Sequence, residues 1–239
     1  MKTTTKLAVL LLLLVSTTSC FFDGFGIQGN RNVVSEDRKI SSEFEGLKVS
    51  EGITVYLSQG NNVDLSVEAD ENIIDLLVTE VKGDVLHIYF DKNVSRAKSR
   101  NVYLTMNKID EIKTSSGAHV RSEHTLKAKS LVLKSSSGSS MKIEVDAQEI
   151  SGNTSSGADM RISGTTDSFN GGASSGSQIH ARDLKTETSN VDVSSGAGIY
   201  IHVEEELTAH ASSGGHVNYD GNPKVLNKSK SSGGSISKH

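Results

Sequence analysis

The chain has 239 residues, 25 basic against 29 acidic, for a formal charge of −4; without Lys2 and Lys6 the balance is 23 against 29, or −6. An acidic chain with no long basic run lacks the footprint of a nucleic-acid binder, and the local group Lys92, Arg96, Lys98 and Arg100 reads as a solvated loop. With 22 glycines, one proline and no tryptophan, the composition excludes an ordinary aromatic-rich core and points to disorder unless the sequence repeats.

Residues 1–19 are unlike the remainder. Lys2 and Lys6 precede an unbroken apolar run from Leu7 to Val15, and small polar residues follow as far as Ser19. A run of this length fits the h-region of a signal peptide, about 7–15 residues, and falls short of the roughly 20 needed to span a bilayer. Cys20, the single cysteine, stands at the cleavage point in an arrangement that resembles a lipobox. The resemblance implies that Cys20 becomes the lipidated N-terminus, which makes a membrane the first expected partner and residues 20–32 a tether.

Within 33–105, Ile53, Val55 and Leu57 alternate, a Gln59-Gly60-Asn61-Asn62 segment follows, and Val63, Leu65 and Val67 alternate again. This pattern predicts a hairpin. Residues 71–80 predict a short helix or loop, and Leu86, Ile88 and Phe90 resume strand alternation. The segment 33–105 therefore reads as a β-rich cap, and 106–239 as the repeats it covers.

Ser-Ser-Gly recurs with its glycine at Gly117, Gly138, Gly157, Gly176, Gly196, Gly214 and Gly233, at spacings of 21, 19, 19, 20, 18 and 19. A near-constant period of this size is the mark of a solenoid. The third residue after each glycine is apolar: Val120, Met141, Met160, Ile179, Ile199, Val217 and Ile236. The residue directly after the glycine is always small, and the fifth is mostly apolar, as in Ile143, Ile162 and Ile201. Odd offsets share one strand face, so each repeat reads as strand, tight glycine turn, strand. Stacked rungs then close a narrow continuous core. Outward positions carry His119, Lys142, Arg161, His180, Tyr200, His202 and His216, and Lys228, Lys230 and Lys238 of the last repeat read as protection of an open edge.

The stretches Phe44-Glu45-Gly46-Leu47, Gly52 to Gly60 and Val85-Leu86-His87-Ile88, the Ser-Ser-Gly series and the closing Tyr219-Asp220-Gly221-Asn222-Pro223 together resemble the head GIN domain family of autotransporter adhesins over about 33–237. The resemblance implies an all-β, right-handed parallel β-helix with glycine turns between two sheets, and suggests cell adhesion by analogy of shape. A fold does not fix a function, which rests with the side chains it displays.

Asp146, Asp159, Asp183 and Asp192, with Arg161 and Arg182 in similar register, are the candidates for an acid–base site of a carbohydrate-active β-helix enzyme. No acidic column recurs from rung to rung, so no catalytic residue is assigned. Among the histidines, His119 and His216 fall about 24 Å apart by rung spacing, which leaves His180 and His202 as the pair expected to be close. No metal site or cofactor follows from two histidines. The reading is a non-enzymatic, lipid-anchored binding or adhesion module of the cell envelope, with a glycan or protein ligand and oligomerisation both open. A periplasmic structural or regulatory module is the alternative.

Overall fold

The computed structural model describes residues 26–40 and 44–239; the leader and Cys20 lie outside the described residues. Nine short strands come first: β1 (Ile27–Gln28), β2 (Val33–Asp37), β3 (Gly46–Val49), β4 (Thr54–Gln59), β5 (Asp64–Asp70), β6 (Leu77–Lys82), β7 (Val85–Phe90), β8 (Val94–Ser95) and β9 (Arg100–Met106). The repeats supply β10 (Glu111–Thr114), β11 (His119–Ser122), β12 (Leu126–Ser135), β13 (Ser140–Thr154), β14 (Asp159–Ala173), β15 (Gln178–Val193), β16 (Gly198–Ala211), β17 (His216–Asp220), β18 (Val225–Lys230) and β19 (Ser235–Lys238). There is no α-helix among the described residues.

The chain is a β-solenoid of about seven turns with repeats about 19 residues apart. Each of β13 to β16 bends midway, so that its first half pairs in one sheet and its second half in the other; Met141 aligns with Met160, for example, and Ile150 with Phe169. Both sheets are parallel throughout the repeats. Residues after a turn form one sheet, residues before it form the other, and the inward side chains of both meet in the core.

Every turn uses two left-handed residues, not one. Ser175 has φ 53° and Gly176 has φ 70°, with the pattern repeated at each Ser-Gly pair, and the Ser177 N–H donates to the Ser174 carbonyl at 3.2 Å. This is a type I′ turn, which needs positive φ at both central positions. The Gly176 N–H donates to the Ser195 carbonyl of the next rung at 3.1 Å, so the corner continues the ladder of the sheets.

Val120, Met141, Met160, Ile179, Ile199, Val217 and Ile236 are all buried in one column. Burying an aliphatic side chain of this size stabilises by about 1.5–3 kcal/mol. At the turn the core becomes polar: buried Ser139 and Ser135 lie 2.9 Å apart, and Thr114 joins them at 2.9 and 3.1 Å. Ser139 also donates to the Ser136 carbonyl at 2.7 Å. The hydroxyls satisfy one another and the backbone, which removes the penalty of burying them.

The segment 33–105 continues the coil. β3 and β4 align with β10 and β11, and Ser50-Glu51-Gly52 repeats the left-handed turn, with φ 63° at Glu51 and 69° at Gly52. β7 and β9 add one further parallel rung. The expected hairpin between β4 and β5 is not formed. β9 lies between them, parallel to β4 and antiparallel to β5, because both edges of β4 are taken by parallel neighbours and the chain after Gln59 must cross over. Antiparallel β5, β2 and β6 then close this end. The segment 71–80 is a single 3-10 turn, Ile74–Leu76, followed by β6, a strand where a helix or loop was expected.

At the other end, Lys228 and Lys230 occupy inward ladder positions, aligned with buried Ala209 and Ala211. A further rung stacked on β18 would have to bury both ammonium groups, so inward charge protects this edge.

Candidate ligand-binding faces

The sheet before the turns has an outer face of short polar side chains. Four residues before the turn glycines stand Lys113, Lys134, Asn153, Gly172, Asp192, His210 and Ser229, and Lys48 extends the column into the first rung. Beside it runs a second column of Ser151, Asn170, Asn190, Thr208 and Asn227. Where side chains are this short the face is concave. A groove of about 670 Å³ runs along the first column and the leading serines of the turns. A depression of about 220 Å³ lies over Gly171 and Gly172, between Asn153 and Asn190, and another of about 320 Å³ lies beside Thr188 and Thr208. A Cβ on Gly172 would stand 2.5 Å from the Asn153 amide oxygen, so glycine there makes room for the asparagine. The side-chain amides of Asn170 and Asn190 bond to no protein group among the described residues, which leaves their donors and acceptors to solvent or ligand.

The groove is electrically polar along its length. Lys113 Nζ lies 2.6 Å and Lys134 Nζ 3.2 Å from the two oxygens of the Glu111 carboxylate. Burial pushes the Glu111 carboxyl up, but hydrogen bonds from Lys113 and Lys134 outweigh it and hold the group below the usual carboxylate range. Lys48 has no acidic partner among the described residues. Its register neighbour His87 is pushed down by burial and then by the charges of Lys48 and Lys82. The far end of the groove carries Asp192.

The sheet after the turns presents different chemistry. Tyr103, Tyr56, Arg121, Lys142, Arg161, His180 and Tyr200 form one outward column in consecutive register. Tyr56 and Tyr103 stack at 4.9 Å, Arg121 lies 5.2 Å over Tyr56, and His180 stacks on Tyr200 at 5.0 Å. The cations are largely neutralised by their neighbours, Arg121 by Glu123 at 2.9 Å and Arg161 by Asp159 at 3.4 Å. Lys142, between them in the column, has no acidic partner among the described residues.

The acids singled out in the sequence do not converge. Asp159 meets Arg161 and His180 on the sheet after the turns, whereas Asp192 lines the groove on the opposite face. Asp146 accepts from Thr165 at 3.0 Å, Asp183 points to solvent, and Arg182 meets Asp220 at 3.3 Å. His180 and His202 do not share a register position. His180 aligns with Tyr200, which stands at the same offset after its turn glycine, and His202 aligns with Lys185 beyond a register irregularity and bonds Glu204 at 2.7 Å. His216 instead reaches Tyr200, with its Nε2 3.0 Å from the hydroxyl. His119 stands apart, its Nδ1 2.6 Å from the Ser140 hydroxyl. Among the described residues no group of three His, Cys, Asp or Glu side chains is placed to hold a metal.

The lysine and asparagine columns were readable as residues four and six before each glycine. Alignment of the apolar positions draws the eye to the strand after the turn, and so passes over them.

Solved structures share the fold, among them the following three. A protein from Bacteroides fragilis, named as a "putative adhesin", is 21% identical with a TM-score of 0.83, over 90% of this chain and 100% of that one. A "putative adhesin" from Parabacteroides merdae is 16% identical with a TM-score of 0.72, covering 89% and 98%. A "putative lipid binding protein" from Parabacteroides distasonis is 21% identical with a TM-score of 0.70, covering 89% and 99%. No curated protein matches the chain. The profile of the family described as "Putative auto-transporter adhesin, head GIN domain" matches residues 43–223, and the chain belongs to that family.

Proposed function

We propose that the protein is a non-enzymatic binding and adhesion module of the cell envelope, held to a membrane by a lipid on Cys20; the tether expected over 20–32 is shorter than that, because Ile27–Gln28 pair with β8 and Arg31 is bonded to Asp70. The observation that carries the reading is the gathering of three depressions on one outer face, lined mainly by hydroxyl and amide side chains with lysines at one end of the groove. Such groups supply donors and acceptors in a fixed array, and a rigid stack of rungs orders them before a ligand arrives. The family's adhesin description agrees with this use of the face. Two acyl chains or more would hold the module firmly, at about 0.8 kcal/mol per buried methylene.

The test is protease digestion of intact cells compared with lysed cells, alongside a Cys20→Ser variant. Digestion on intact cells, with release of the variant from the membrane fraction, is the expected result. Protection until lysis would remove adhesion and leave a periplasmic role.

A further inference from the structure

We propose that the groove of the sheet before the turns binds an acidic polysaccharide, a chain of sugars bearing carboxylates, laid along the solenoid axis with its charged groups at the Lys48 end. The inference rests on the binding role proposed above and names the ligand class for that same face.

Lys48, Lys113 and Lys134 stand on three consecutive rungs at one end of the groove. Rungs repeat at about 4.8 Å, so the three lysines follow one another along the groove, with Lys113 and Lys134 converging on Glu111 and Lys48 beyond them. The protein already shows what two of them can hold. Lys113 and Lys134 bracket the Glu111 carboxylate from either side, at 2.6 and 3.2 Å, which is the geometry a ligand carboxylate would need. Lys48 is the third cation of the row and has no acidic partner among the described residues. His87 beside Lys48 is pushed down first by burial and then by the charges of Lys48 and Lys82, with Glu80 opposing and Lys113 adding a smaller share.

Beyond Lys134 the column changes to Asn153 and Gly172, with Asn170 and Asn190 alongside. These groups hydrogen-bond sugar hydroxyls and carry no charge. The groove ends at Asp192, which repels an anion and so sets the direction in which an acidic chain lies. The column of Tyr56, Arg121, Lys142 and Arg161 on the opposite face is the weaker candidate, since the groove of about 670 Å³ is lined wholly by the sheet before the turns and its serines.

The test uses the full mature chain and polygalacturonate oligomers, titrated by calorimetry beside an uncharged galactan and single-stranded DNA. Binding of the uronate is expected, weakened about fivefold by Lys48→Gln, the factor an exposed charge contact provides. Asp192→Asn should strengthen it, and Lys142→Gln on the opposite face should leave it unchanged. Equal binding of uronate and galactan, with no effect of Lys48→Gln, would overturn the acidic ligand while keeping the groove as a sugar site. Equal binding of DNA would reduce the interaction to charge alone and overturn it too. Binding of no glycan would remove both this inference and the glycan reading of the face.

Discussion

Two glycines separate what repeats in the sequence from what the structure requires. Gly176 belongs to the conspicuous Ser-Ser-Gly series, yet a Cβ placed on it meets nothing within 4 Å. Only its φ of 70° resists substitution. An L-residue in the left-handed region costs about 1–2 kcal/mol, and the stiffer unfolded chain returns about 0.4–1 kcal/mol, so Gly176→Ala should lose at most about 1.6 kcal/mol. Gly164 lies outside the series. Its φ is 116°, and a Cβ there would stand 2.0 Å from the Val145 carbonyl oxygen and 2.9 Å from its carbon. Backbone in the neighbouring rung must move, and the ladder on both sides holds it. Conformational strain of about 1–3 kcal/mol and overlap of about 1–3 kcal/mol put Gly164→Ala near 2–6 kcal/mol. Urea unfolding followed by far-UV circular dichroism measures both. Equal losses, or a greater loss at Gly176, would refute the argument that close approach at the second corner outweighs conformation at the turn.

Asp70 is fully buried and accepts backbone N–H groups of Arg31, Lys98 and Ser99 at 2.8 to 3.1 Å. Burial pushes its carboxyl up, but those donors outweigh it and hold it below the usual range. A depressed folded pKa adds stability that is present above the unfolded value near 3.9 and is lost as pH falls through the folded value. Asp70→Asn should cost about 2 kcal/mol at neutral pH and flatten the acid side of the stability profile; an unchanged profile in acid titration would contradict this. Ile199 is wholly buried in the central column, so Ile199→Asp should abolish cooperative unfolding, because the carboxylate finds no partner there. A variant with the wild-type thermal transition would defeat the rung alignment.

The architecture was legible because a solenoid repeats its local physics. A type I′ turn demands residues tolerant of positive φ, an inward column demands apolar side chains, and stacking forces both to recur with one period. The register of Val120, Met141 and Met160 follows from that period alone. The other turn residue was hidden: serine is an ordinary residue in sequence, and only the backbone reveals Ser175 at φ 53°. The hairpin expected after Gln59 fails for a tertiary reason, since alternation at Val55 and Val67 tells which face is buried but not which strand lies alongside. β9, arriving forty residues later, takes that place.

What the sequence determined by itself was every feature set within one rung: the turn, the inward column and the outward polarity. The tertiary structure decided everything that depends on which rung lies next to which. It brought the His216 ring to the Tyr200 hydroxyl, shifted His202 onto Lys185, and placed β9 between β4 and β5. Side chains far apart in the chain become neighbours only through register, and register is fixed by the packing of both sheets on a shared core.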